Sequence, residues 1–182
     1  MTKEERILET AAVWIAYYRS NPHRFASDYL HLSLRSFQKT LLAMWNWSET
    51  AVFIGSRGIG KSFLIAIYCV IRCILYPGSK ICIASGTRGQ SVNVLEKIML
   101  ELIPKSQELK AEVNMKASTT KGVDAQIVFW NGSYIKVVTA SDSARGKQNN
   151  LWLPLQLVTV VVYSTRNWKA NPIWYANQSG RL

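Results

Sequence analysis

Gly55-Ser56-Arg57-Gly58-Ile59-Gly60-Lys61-Ser62 is the stretch on which the rest of the chain turns. It satisfies G-x-x-x-x-G-K-[ST] in full, and a chance match in a chain this long is on the order of one per cent. Residues 50 to 54 before it, with Val52 and Phe53, are a short apolar run that reads as a buried strand. Residues 63 to 76 after it read as an apolar helix, closed by Pro77-Gly78.

The chemistry follows from that context. Glycines let a backbone curl until successive N–H groups point inward, and the helix that follows adds its positive end, so the loop suits a triphosphate. Gly55, Ser56, Arg57, Gly58, Ile59, Gly60, Lys61 and Ser62 are therefore the candidate ATP-binding residues, Lys61 reaching the β and γ phosphates and Ser62 ligating Mg2+. Arg57, inside the loop, could stabilise charge on the γ phosphate in cis, or could point to solvent or nucleic acid. The alternative for the whole stretch is a glycine-rich turn with an exposed lysine, but such a turn need not set Lys-Ser directly ahead of an apolar helix.

Working outward, residues 81 to 84 form a second buried strand and residues 90 to 103 a helix with Val94, Leu95, Ile98 and Leu102 on one face. Strand, helix, strand, helix predicts a parallel sheet covered on both sides, an α/β P-loop sandwich of three layers with a mainly parallel sheet. Two β-prone runs, 125 to 130 and 133 to 139, flank Asn131-Gly132, which predicts a two-residue hairpin turn. Residues 141 to 148 are a polar loop, and 151 to 162 a last strand-like run interrupted by Pro154.

Upstream, residues 3 to 19 carry Ile7, Leu8, Ala11, Trp14, Ile15 and Tyr18 at helical spacing, ended by Asn21-Pro22. A second helix is expected after Ser33 as N-cap, with Phe37, Leu41, Leu42 and Trp45 on one face. Gln38 on that helix offers both a donor and an acceptor to the edge of adenine, although on spacing alone a plain surface glutamine fits equally well.

The bulk composition fits one globular domain of 182 residues, 48% hydrophobic. Lys and Arg number 22 against 11 Asp and Glu, a formal net charge of +11 that favours polyanions such as nucleic acid. Cys69, Cys73 and Cys82 are odd in number and lie in apolar surroundings, as buried thiols in a reducing compartment would. His23 and His31 add no ligand cluster. The charged first nine residues and the lack of a long apolar run predict a soluble, intracellular protein.

Taken together, Leu34-Arg35-Ser36-Phe37-Gln38, the loop with its internal Arg57, residues 83 to 91 (IASGTRGQS) and the hairpin leading into Ser141-Asp142-Ser143-Ala144-Arg145-Gly146 resemble the ATPase domain of the large terminase subunit of tailed bacteriophages. The resemblance spans roughly residues 20 to 146. It implies a motor that hydrolyses ATP to drive double-stranded DNA into a capsid in the cytoplasm of a bacterial host. The phage portal protein and the small terminase subunit would then be partners, and a homo-oligomer stays open. In it Gln38 would be the adenine-contacting residue and Arg57, with Lys61, the catalytic pair.

The same resemblance implies a buried strand ending in Asp-Glu within about ten residues of the Ala-Arg-Gly loop, the Asp in the Mg2+ shell and the Glu activating water. Here the run 151 to 162 ends in Tyr163-Ser164, and no acid follows Asp142. Residues 1 to 146 are accordingly a partial ATPase domain, and 147 to 182 an acid-free tail with no nuclease domain, as a truncation or frame change near Lys147 would leave them. An Asp-Glu strand missing from both other frames past codon 147 would count against that explanation. Hydrolysis is then expected to be slow. The competing expectations are a P-loop kinase for a small molecule and a nucleic-acid-binding module that holds nucleotide without turnover.

Overall fold

The computed structural model describes residues 2–48, 50–54, 58–85, 87–122, 124–139, 151–155 and 159–164. Helix α1, Lys3–Ser20, is started by a reciprocal cap in which Thr2 Oγ1 accepts from Glu5 N and Glu5 Oε2 accepts from Thr2 N. Asn21-Pro22 ends it as expected, and Pro22 immediately opens α2, Pro22–Asp28, where a missing N–H costs nothing.

Helix α3, Ser36–Trp47, begins later than the Ser33 cap predicts, with Arg35 at the cap. Leu32 and Leu34 are buried on either side of exposed Ser33, and that alternation holds the chain extended until Ser36. Strand β1 is Thr50–Ile54 and helix α4 is Lys61–Leu75.

Residues 64 to 71 of α4 are all buried, because the helix is covered on both sides. It touches strands β2, Lys80–Ser85, and β4, Tyr134–Thr139, on one side and α1, α2 and α3 on the other. Such a helix reads as continuously apolar rather than amphipathic. Helix α5, Arg88–Lys97, also packs on β2 and β4, then loosens into a π-type turn at Ile98–Leu102 and a short 3-10 turn at Ile103–Lys105. A further short helix, α6 at Gln107–Glu112, was not expected from the sequence; its cap is Ser106, whose Oγ accepts from Leu109 N.

Strand β3, Gln126–Val128, pairs antiparallel with β4. The turn joining them holds three residues, Trp130 to Gly132, rather than two. Phe129 N donates to Ser133 O at 2.9 Å, and Gly132 takes φ 81°, the left-handed residue that a three-residue hairpin loop needs. Asn131 is drawn out of the turn because its Nδ2 donates to Cys73 O at the end of α4.

Residues 151–164 are two strands, not one: β5, Leu151–Leu155, and β6, Thr159–Ser164. The strand order is β1-β6-β5-β2-β4-β3. Only β2 with β4 and β2 with β5 pair in parallel, so the sheet is mixed, and the mainly parallel sheet expected above is corrected. The pairings nevertheless give β1, β5, β2 and β4 one common direction, with β6 inserted antiparallel between β1 and β5. Nor is the acid-free tail outside the sheet, since it supplies both β5 and β6. Pro154 lies in β5 between two neighbouring strands, and the β5–β6 pairing skips positions 153 and 154, where the proline has no N–H to give.

Cys69, Cys73 and Cys82 are free buried thiols, and burial pushes those of Cys69 and Cys73 well above their ordinary range. Among the described residues no helix is long and apolar enough to cross a membrane.

Candidate nucleotide site

Because β1 and β2 run in the same direction, their carboxyl ends open on the same edge of the sheet. In open sheets this is the edge where ligands settle. The segment after β1 leads into α4, and the segment after β2 leads through Thr87 into α5.

Gly55, Ser56 and Arg57 lie outside the described residues, as does the Ser141 to Gly146 loop. From Gly58 onward the loop is defined. Gly58 has φ 86° and Gly60 has φ 89°, ψ 23°, both in the left-handed region that residues with a β-carbon rarely adopt. Ile59 between them is half-buried.

Gly60 is the N-cap of α4, and the first bond of the helix runs from Leu64 N to Gly60 O at 3.0 Å. The N–H groups of Lys61, Ser62 and Phe63 therefore have no acceptor within the helix, and they carry its positive end. Lys61 and Ser62 stand in this first turn, both half-buried. Three orphan amides, an ammonium and a hydroxyl at one helix start can take a phosphate. A single neutral hydroxyl such as that of Ser62 fits Mg2+ only as one ligand among phosphate and water oxygens.

Gln38 belongs to the same place. It sits in the first turn of α3, its Oε1 accepting from Arg35 N at 2.9 Å, and its Nε2 lies 3.7 Å from where a β-carbon on Gly60 would stand. The structure thus brings together Gln38, Gly58, Ile59, Gly60, Lys61 and Ser62 across a gap of some twenty residues that sequence spacing alone does not bridge. Among the described residues no group of three or more His, Cys, Asp or Glu gathers as a metal cluster.

Two features at this edge went unread in the sequence. Ser85, at the end of β2, is buried and shares a 2.5 Å hydrogen bond with Ser91 Oγ while donating to Thr87 O, which fixes the turn into α5. Arg88, the first residue of α5, donates through Nη2 to Gly122 O. Serines in a β-strand end and a glycine-rich turn carry no periodic signal, so only the fold reveals the pairing.

Neither the protein-family models nor the curated proteins include a match to this sequence.

Proposed function

We propose that the chain binds ATP with Mg2+ through residues 55 to 62 and is the nucleotide-binding part of a viral DNA-packaging motor of the large-terminase kind. What carries the first half is one observation: left-handed Gly60 caps a helix whose first two residues are Lys61 and Ser62, at the carboxyl end of a strand. A strand, a loop with two left-handed glycines and a buried helix are the parts of a P-loop sandwich, and that finer fold belongs to this proposal. The terminase half is supported by the ordered segments around Gln38, Lys61, Thr87 and the hairpin, together with the net charge of +11.

In this reading the amides of α4's first turn and Lys61 bind the phosphates, Ser62 supplies one oxygen to the metal, and Gln38 lies where the base would pass. Bound Mg2+ would neutralise the charge on the phosphates. The strand that should deliver Asp-Glu is represented by 151 to 164, which holds no carboxylate at all. Without a group to orient and deprotonate water, turnover is slow.

Turnover is tested by measuring phosphate release with and without double-stranded DNA. Little release in both cases, beside saturable nucleotide binding, is the expected result. Rapid turnover would contradict the missing-carboxylate part. DNA binding is tested by its salt dependence: affinity should fall steeply between low and physiological salt, and a protein with no DNA affinity at low salt would contradict the motor assignment. A kinase would instead release ADP in proportion to an added small-molecule acceptor.

A further inference from the structure

Helix α1 is attached to the body at one end only. Its anchors are the ring of Tyr18 on Phe25, the guanidinium of Arg19 on Leu75 O, and Asn46 Nδ2 on Arg19 O. Residues 9 to 17 are all exposed, including Val13 at 68% and Trp14 at 54%. Trp14 stacks on Tyr18 and meets Tyr17 edge-on, both on its own helix. An apolar stripe exposed along several turns of a helix is the mark of an interaction surface.

Its shape specifies a helix as the occupant. Lys3, Arg6, Ile7, Thr10, Ala11 and Trp14 line an open groove of about 600 Å3 along α1. These positions are two overlapping diamonds of i, i+3, i+4 and i+7, which is the outline of two successive holes for the knobs of a facing helix. Small Thr10 and Ala11 floor the second hole, between large Ile7 and Trp14. Ile7, Ala11, Trp14 and Tyr18 recur at four, three and four residues, a seam of period 3.5.

The charges specify which helix. Residues 3 to 9 carry Glu4, Glu5 and Glu9 against Lys3 and Arg6, while residues 10 to 20 carry only Arg19. One half is net negative and the other net positive, so a second α1 laid antiparallel meets each end with its opposite and opposes the two helix dipoles favourably. Such a surface is self-complementary, as a two-fold contact between identical chains requires. We propose that α1 is a dimerisation arm, pairing antiparallel with α1 of a second copy about a two-fold axis near Ala11. The inference does not depend on the loop at 55 to 62.

An 18-residue helix offers a contact at the small end of specific interfaces, so the dimer is reversible. Sedimentation velocity between about 5 and 500 µM should show mass rising from 20.6 kDa toward twice that value. Ala11→Glu places a charge on the floor of the second hole at an exposed position, and Trp14→Ala empties its rim. Both should stay monomeric throughout while keeping the wild-type circular dichroism. Wild type that remains monomeric at the highest concentration, or dimer unaffected by either substitution, overturns the proposal. Orientation is read by mild oxidation of single-cysteine additions: Thr10→Cys beside the axis cross-links, whereas Glu4→Cys, whose copies stand roughly 20 Å apart in an antiparallel pair, does not. Cross-linking of Glu4→Cys as readily as Thr10→Cys would mean parallel pairing and would equally overturn it.

Discussion

The carboxamide of Gln38 lies against Gly60, its Nε2 3.7 Å from the position of an absent β-carbon. That is ordinary contact distance, so a methyl group at Gly60 fits the space and fails only on conformation, since φ is 89°. The contact joins the start of α3 to the start of α4, two helices that meet at the candidate phosphate site.

Gly60→Ala should therefore cost about 1 to 2 kcal/mol, the strain of a left-handed alanine, and also weaken nucleotide binding. Gly132→Ala is the matched control: φ is 81°, nothing lies within 4 Å, and the turn is remote from the loop. Urea unfolding should show similar losses for the two, and ATP titration a loss for Gly60→Ala alone. Equal nucleotide affinity in both would separate Gly60 from the site.

Arg19 fastens α1 to the end of α4, its Nε and Nη2 donating to Leu75 O at 2.9 and 2.6 Å while its guanidinium and that of Arg72 lie over the Tyr76 ring. Bonds from a charged donor are worth about 1.5 to 3 kcal/mol, reduced here by exposure. Arg19→Ala should lower stability by about 1 to 2 kcal/mol and loosen α1, read as faster amide exchange over residues 3 to 20. Arg19→Lys should recover only part of it, because an ammonium cannot present two parallel donors and a flat face.

Tyr68 donates to Trp45 O at 3.0 Å, and burial pushes its phenol up to about 12. The folded state then keeps a proton that the unfolded chain gives up near pH 10. Stability from this group is complete below pH 10 and is lost as the pH rises toward 12, by about 2 kcal/mol. Unfolding measured at pH 8 and pH 11 should show the drop, and Tyr68→Phe should flatten it while costing about 1 kcal/mol at pH 8 for the lost bond.

How much of this was legible beforehand depends on whether the deciding contact is local. The turn from glycine into α4 was legible, since the glycines, the lysine and the helix are consecutive and each has its own conformational reason. The meeting of Gln38 with Gly60 was not, because no spacing rule reaches from one helix start to the next. The Asn131-Gly132 turn was located correctly but given one residue too few, as the asparagine's side chain is claimed by Cys73 O, far away in sequence. The stripe on α1 was read as helical, yet its period does not say whether the covering surface lies within the chain. The sheet was misjudged as mainly parallel because β6, a Val-rich run indistinguishable from its neighbours by composition, reverses direction after residues 156–158.

The most direct measurement is equilibrium titration of the protein with ATP in the presence of Mg2+, beside Lys61→Ala. Saturable binding at one site, weakened about 10- to 100-fold by removal of the Lys61 ammonium, is the predicted result. No affinity for ATP with magnesium, or the same affinity with and without Lys61, would contradict it.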